Sequence, residues 1–267
     1  MVKDITLGQY IPGESVLHRA DPRVKLILSL IYMVLIFIVN NYIGLLFLVM
    51  FTAMVIFTSG VPVKYTLKGL KPLLFIIVFT VVINLFTTKG TVVFEYGFIK
   101  ITQEGIDMSI KLIIRLSLLV ISASLLTLTT TPILLTDAIE SLLKPLRAVG
   151  VPAHEIAMMM TISLRFIPIL LEETDKIMKA QASRGADFDT GNFIQRAKSF
   201  VPVLIPLFIS AFRRADEMAN AMEARCYRGS EGRTKMKQLK LSSLDYKIMI
   251  VMAVVVAGVL YVQYMPV

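Results

Sequence analysis

Two short stretches carry the side chains best suited to gripping a partner. One is Ala182-Ser183-Arg184-Gly185; the other is Glu223-Ala224-Arg225-Cys226, followed by Arg228-Gly229. In each, an arginine stands between small residues, Ser183 and Gly185 in the first and Ala224 and Cys226 in the second. Small neighbours leave a guanidinium free to project and let another surface approach closely. The guanidinium is a planar fork of donors matched to carboxylates. Both arginines also fall where a helical pattern ends. A cation there is favoured by the helix dipole, so capping alone would account for them.

Residue types that carry covalent or metal chemistry are scarce. Cys226 is the one cysteine, and His18 and His154 are the only histidines. No internal disulfide can form and no thiolate zinc cage is available. There is no GxxxxGK[ST], HExxH or GxSxG signature. Glu172, Glu173 and Asp175 form an acidic cluster without an accompanying histidine or ligand set, which reads as a solvated helix face. The chain reads as non-catalytic, with no cofactor of its own.

The elements that must position the arginines follow from composition. Of 267 residues, 56% are hydrophobic and 18% charged, with a formal net charge of +9 and a mean hydropathy of +0.73. Soluble domains hold about 45–50% apolar and about 25% charged residues. The excess excludes a disordered chain, a nucleic-acid-binding tail and a small disulfide scaffold. Apolar and basic together point to a membrane protein with basic cytoplasmic segments.

Leu26–Val63 is 38 residues without a charge, enough for two spans of about 20 residues. The turn falls at Asn40-Asn41-Tyr42, giving spans near 25–40 and 43–59, the second ended by Gly60-Val61-Pro62. A third span is expected at 72–88, carrying Asn84, and a fourth at 110–130, where Arg115 can snorkel to the interface. A short β-hairpin around Tyr96-Gly97 is expected between them. Ile248–Val267 is a fifth span. Lys and Arg precede the first span and separate the second from the third. The N-terminus is therefore expected in the cytoplasm and the C-terminus outside.

Between the fourth and fifth spans the chain changes character. Residues 131–247 hold 17 of the 28 Lys and Arg and 13 of the 19 Asp and Glu, yet remain helical by pattern. One helix is expected to start at Thr136-Asp137 with Glu140 and to close at Pro145–Gly150. A second runs from Val151-Pro152 toward Ala182, kinked at Pro168. A loop with Gly185, Asp187, Asp189 and Gly191 follows, and then a third helix from Phe193 to Arg225. Ser199–Phe212 is charge-free but is only fourteen residues with two prolines, which reads as a helix at the membrane boundary. Ala211, Ala215 and Ala219 allow either close packing or plain helix propensity. Met218 and Met222 beside them suit core filling or an adaptable partner surface. The sections are then 1–130 with four transmembrane helices, 131–246 cytoplasmic, and 247–267 with the last span.

Further residues carry a family resemblance. The run His18-Arg19-Ala20-Asp21-Pro22-Arg23-Val24-Lys25 before the first span resembles the T component (EcfT) of energy-coupling factor transporters. So do Leu164-Arg165-Phe166-Ile167-Pro168 with Glu172-Glu173, and the paired Ala-Arg-Gly-type motifs. Neither copy is a full Ala-Arg-Gly, since Ser183 and Cys226 replace the flanks.

The resemblance implies an all-α, L-shaped polytopic protein in a prokaryotic cell membrane, with about five transmembrane helices and long cytoplasmic coupling helices. It implies that Ser183-Arg184-Gly185 and Ala224-Arg225-Cys226 each engage one of two ABC-type ATPases (EcfA and EcfA′), which bind the ATP and Mg. It also implies contact with membrane lipid and with a substrate-binding S component for a vitamin or a transition-metal ion, and no nucleic-acid partner. The rival classes are a polytopic membrane enzyme, which would need polar residues gathered at one membrane depth, and an ATPase-independent membrane scaffold.

Overall fold

The computed structural model describes residues 10–96, 99–188, 192–229 and 239–264. It is almost wholly helical: α1 Val16–Arg19, α2 Pro22–Ile38, α3 Tyr42–Ser59, α4 Val63–Lys68, α5 Leu74–Thr87, then strands β1 Val92–Tyr96 and β2 Ile99–Thr102, then α6 Gln103–Thr129, α7 Pro132–Leu143, α8 Ala153–Ser183, α9 Phe193–Ala224 and α10 Ser243–Tyr264. Among the described residues, six helical segments are long and apolar enough to cross a membrane: α3, Val63–Thr87, α6, α8, Ile194–Ala224 and α10. The chain is therefore an all-α polytopic membrane protein. The six are not the five expected spans. α2, at 17 residues, is shorter than any of the six, and both α8 and α9 qualify. The charge-free stretch 199–212 lies inside an uninterrupted 32-residue helix that passes through Pro202 and Pro206.

The described residues fall into two compact units, 10–138 with 239–264, and 139–229. In the first, α6 packs on α2, α3, α4 and α5, and α10 packs on α2 and α3. The core is Tyr32, Leu35 and Ile36 of α2 with Val39 just after it, Leu45 and Leu48 of α3, Leu118 of α6, and Met252, Val255 and Val259 of α10. Burying the Tyr32 ring in this core requires a partner for its hydroxyl, which is found in the Thr52 hydroxyl and, at 3.2 Å, the Leu48 carbonyl. α3 ends at Gly60, whose φ of 66° is left-handed, where glycine avoids the Cβ penalty. The expected hairpin forms, β1 pairing antiparallel with β2 and Phe94 facing Ile101; its turn at Gly97 lies outside the described residues.

Three helix starts differ from the sequence expectation, and each has a local cause. α6 begins at Gln103 because the Thr102 hydroxyl accepts from the Gly105 N–H at 3.1 Å. Gly105 also lets this turn approach the Asn84 and Leu85 carbonyls, 3.4 and 3.3 Å from where a Cβ would stand. α7 starts at Pro132 rather than Thr136, whose hydroxyl donates back to the Pro132 carbonyl inside the helix. α10 starts at Ser243, earlier than residue 248, because the charge at Asp245 is buried and partnered. Residues 265–267 of the expected fifth span lie outside the described residues.

Asp245 organises one end of this unit. It is 1% exposed. Its carboxylate accepts from the Asp21 N–H at 2.7 Å, the Ser242 N–H at 2.7 Å and the Ser242 hydroxyl at 2.9 Å. Asp21 in turn caps α2 by accepting from the Arg23 N–H at 2.8 Å. The Arg23 guanidinium bridges Asp21 and the Leu239 carbonyl, and Lys25 donates to the Thr129 carbonyl and the Thr130 hydroxyl at the end of α6. The Asp-Pro-Arg-x-Lys run is thus a knot tying the starts of α2 and α10 to the end of α6. Burial pushes the Asp21 carboxyl up, but the hydrogen bonds and charge of Arg23, with the charge of Lys25, hold it below its ordinary 3.8.

Two outcomes follow for the detergent-solubilised chain. Asp245→Ala orphans two backbone N–H groups and is expected to cost about 2–4 kcal/mol, read as a clear drop in melting temperature. Because the Asp21 pKa is depressed on folding, its stabilisation is complete above the unfolded value. It is expected to disappear only as pH falls through the folded value below 3.8. Melting curves of wild type and Asp21→Asn should converge there and stay apart at neutral pH.

Candidate functional site

The two arginine motifs end the two long helices of the second unit. α8 and α9 pack on each other, and their contacts set the direction. Phe188, just past α8, packs against Phe200 with ring centroids 5.4 Å apart and the rings tilted; Gln181 reaches Pro202; Glu173 pairs with Arg214 at 3.5 Å. Numbers fall on one helix as they rise on the other, so the pair is antiparallel. Pro206 has no N–H to give the Pro202 carbonyl, four residues earlier in α9. The Gln181 side-chain amide donates to that carbonyl instead, at 3.5 Å.

At each motif the backbone forms the same cap. After α8, the Gly185 N–H donates to the Ala182 carbonyl and the Ala186 N–H to the Gln181 carbonyl, both at 3.0 Å. After α9, the Cys226 N–H donates to the Glu223 carbonyl at 2.8 Å and the Tyr227 N–H to the Met222 carbonyl at 3.0 Å. This is the Schellman pattern, which places the residue after the cap in the left-handed region. Gly185 has φ 91° and Cys226 has φ 54°. Glycine adopts that region freely, whereas a cysteine there costs about 1–2 kcal/mol. Arg184 and Arg225 are therefore equivalent positions of one motif, although their flanks differ in sequence.

The caps decide what the arginines do within the chain. The Gln181, Ala182, Met222 and Glu223 carbonyls are satisfied by backbone N–H groups, and neither guanidinium is used as a hydrogen-bonding cap among the described residues. Ser183, Arg184, Gly185, Ala224, Arg225 and Cys226 are all exposed. The Ser183 hydroxyl donates back to the Lys179 carbonyl at 3.0 Å. Among the described residues neither Arg184 nor Arg225 makes a side-chain hydrogen bond or ion pair. The two do not converge. Arg184 stands near the Pro202 level of α9 and Arg225 lies beyond Arg214, which separates them by on the order of 30 Å along the helix. The arrangement is two separate prongs, each able to enter its own acceptor pocket.

Other residues considered from sequence have local partners. Asp175 pairs with Lys179 at 2.6 Å and Glu173 with Arg214, while Glu172 is exposed. His154 contacts Glu140 at 3.1 Å, joining the start of α8 to α7. Ala215 and Ala219 are exposed; the half-buried positions of that stretch are Ala211, Arg214, Met218 and Met222. Arg115 caps α2, donating to the Ile36 and Val39 carbonyls at 3.1 and 2.8 Å and to Asn40 Oδ1 at 3.2 Å. Asp189 and Gly191 of the expected loop lie outside the described residues. No three His, Cys, Asp or Glu among the described residues are placed to share a metal ion.

A polytopic helical membrane protein whose most distinctive site is a matched pair of projecting arginines is, by class, a candidate assembly or transport component. Comparison with known proteins makes this specific. Residues 13–236 match the family described as cobalt transport protein, CbiQ. The chain is 64% identical over 264 residues, 99% of each sequence, to the energy-coupling factor transporter transmembrane protein EcfT of Ruminiclostridium cellulolyticum. It is 58% identical over 248 residues to that of Clostridium kluyveri, 92% of each, and 46% identical over 262 residues to that of Bacillus subtilis, 98% of each. The chain belongs to the EcfT/CbiQ family, the transmembrane components of energy-coupling factor transporters.

Equivalence of the two caps has a measurable consequence. Cys226→Gly is expected to stabilise the end of α9 by about 1 kcal/mol, and Gly185→Ala to destabilise the end of α8 by about as much. Amide hydrogen exchange of the last turns should show slower exchange in the first variant and faster in the second.

Proposed function

We propose that this chain is the coupling subunit of an ATP-driven importer, joining two ABC-type ATPases, EcfA and EcfA′, to a substrate-binding S component for a vitamin or a transition-metal ion. The partner ATPases bind and hydrolyse ATP with Mg; this chain is non-catalytic and holds no cofactor. Arg184 and Arg225 each enter one ATPase and meet a carboxylate there, with Ser183, Gly185, Ala224 and Cys226 small enough to let the partner close around the guanidinium.

The observation that carries this reading is the pair of matched caps, each with an exposed arginine whose own helix end makes no demand on it. Two equivalent prongs on the order of 30 Å apart suit two equivalent subunits. Because both are built on one packed helix pair, a movement of the ATPases would be passed to α8 and α9 as rigid levers. Val201, Ile205, Phe208 and Phe212 form an exposed apolar stripe on α9, suited to carry that movement to an apolar partner or to lipid. In this reading the N-terminus and the 131–246 section face the cytoplasm and the C-terminus lies outside.

The test is co-purification of the chain with its two ATPases and uptake by the assembled transporter. Breaking one side of a buried ion pair costs about 3–5 kcal/mol, so Arg184→Glu with Arg225→Glu is expected to weaken ATPase binding by more than about 100-fold and to abolish uptake. Intact binding and uptake in the double variant would remove the docking role. For orientation, tags placed at 64–71 and at the C-terminus are expected to report opposite sides of the membrane; same-side labelling would remove the fifth crossing.

A further inference from the structure

We propose that the elbow joining α3 to α5 is a binding site for anionic phospholipid headgroups, formed by Lys64, Lys68 and Lys71.

The elbow is α4 followed by the 3-10 turn Lys71–Leu73. One face of it is fixed against α6. Thr66 is 0% exposed, and a Cβ on Gly69 would stand 2.5 Å from Ser124 Oγ. Within α4, Lys64 and Lys68 are one turn apart and fall within about 40° of each other on the side away from Thr66; Lys71 opens the 3-10 turn that follows. All three are exposed, and among the described residues none has an ion-pair or hydrogen-bond partner. No Asp or Glu occurs from residue 22 to residue 94, so the flanking chain supplies no compensating charge. The elbow thus presents three exposed cations without a partner among the described residues.

Their depth identifies the occupant. Phe57, three residues before the turn at Gly60, is 79% exposed, and Phe75, four residues after Lys71, is 77% exposed. Apolar side chains this bare on two membrane helices place those positions within the apolar layer. The ammonium groups then stand one to two turns beyond the apolar boundary, where the phosphates lie. Tyr65, 51% exposed, stands between them, and amphipathic aromatics favour that level. Lysine is a point charge on a flexible stem, suited to a fluid layer of phosphodiesters rather than to a fixed carboxylate fork. Attraction to anionic lipid adds with each lysine near the surface, and a neutral headgroup offers no such gain.

The experiment uses the full chain reconstituted in phosphatidylcholine vesicles with trace spin-labelled phosphatidylglycerol or spin-labelled phosphatidylcholine. The motionally restricted fraction of each label is read by electron paramagnetic resonance. Wild type is expected to restrict phosphatidylglycerol at least about twofold more than phosphatidylcholine. The variant Lys64→Gln, Lys68→Gln, Lys71→Gln should bring that ratio close to one with an unchanged melting temperature. Lys→Arg at the same three positions should keep it, and so should Lys89→Gln. Salt at about 0.5 M should lower the wild-type ratio toward that of the triple glutamine variant. A triple glutamine variant with the wild-type ratio overturns the proposal. If that variant keeps its lipid ratio but loses the ATPase subunits on purification, the face is a protein dock and the lipid assignment falls.

Discussion

A helix end leaves several backbone carbonyls or N–H groups without an intrahelical partner, and where water is excluded each must be given one. The structure is organised by how this demand is met. In the unit built on α6, side chains meet it. Arg115 supplies the end of α2, Lys25 the end of α6, and Asp21 and Asp245 the start of α2. These charged residues are absorbed by structure, and their partners come from elements far apart in the chain. At the C-terminal ends of α8 and α9 the chain meets the demand with its own backbone N–H groups. That releases Arg184 and Arg225 from structural work and leaves their donors for another molecule.

The same contrast separates the basic residues by role. Arg23, Lys25 and Arg115 serve helix ends and are committed within the fold. Lys64, Lys68 and Lys71 are exposed on and just after a short packed helix and have no partner among the described residues. Arg184 and Arg225 likewise have no side-chain partner among the described residues, but they occupy helix C-caps and stand among small residues. Residue type alone predicts none of this. What separates the groups is whether a nearby backbone carbonyl is still waiting for a donor.

Much of the membrane architecture is legible in the sequence, because exclusion of charge over a span is a direct physical requirement. The ends of α3 at Asn41 and Gly60, the hairpin before α6 and the long helices around Met158 and Phe208 all follow from local pattern. The knot at Asp245 does not, since its partner Asp21 is 224 positions away and an acidic residue just before an apolar run looks like a boundary marker. The earlier starts of α6 and α7 depend on single hydroxyls at Thr102 and Thr131, which accept from the first helical turns and which periodicity does not weigh. The alanine stripe at 211, 215 and 219 allows either a packing seam or plain propensity; Ala215 and Ala219 are exposed, and the contact toward α8 at this level is Arg214 with Glu173. The arginine motifs are visible as a repeat. Their shared left-handed cap is hidden in the second copy, where cysteine stands in place of glycine.

The lone cysteine also supplies the most direct test of the central claim, that the Schellman-capped arginines are the contact points of the assembled transporter. Cys226 is exposed, adjoins Arg225 and is the only thiol in the chain. Its alkylation rate by N-ethylmaleimide can be followed by mass spectrometry in the isolated chain and in the complex with both ATPases. The account predicts ready labelling in the isolated chain and strong protection in the complex. Equal rates in the two would contradict it.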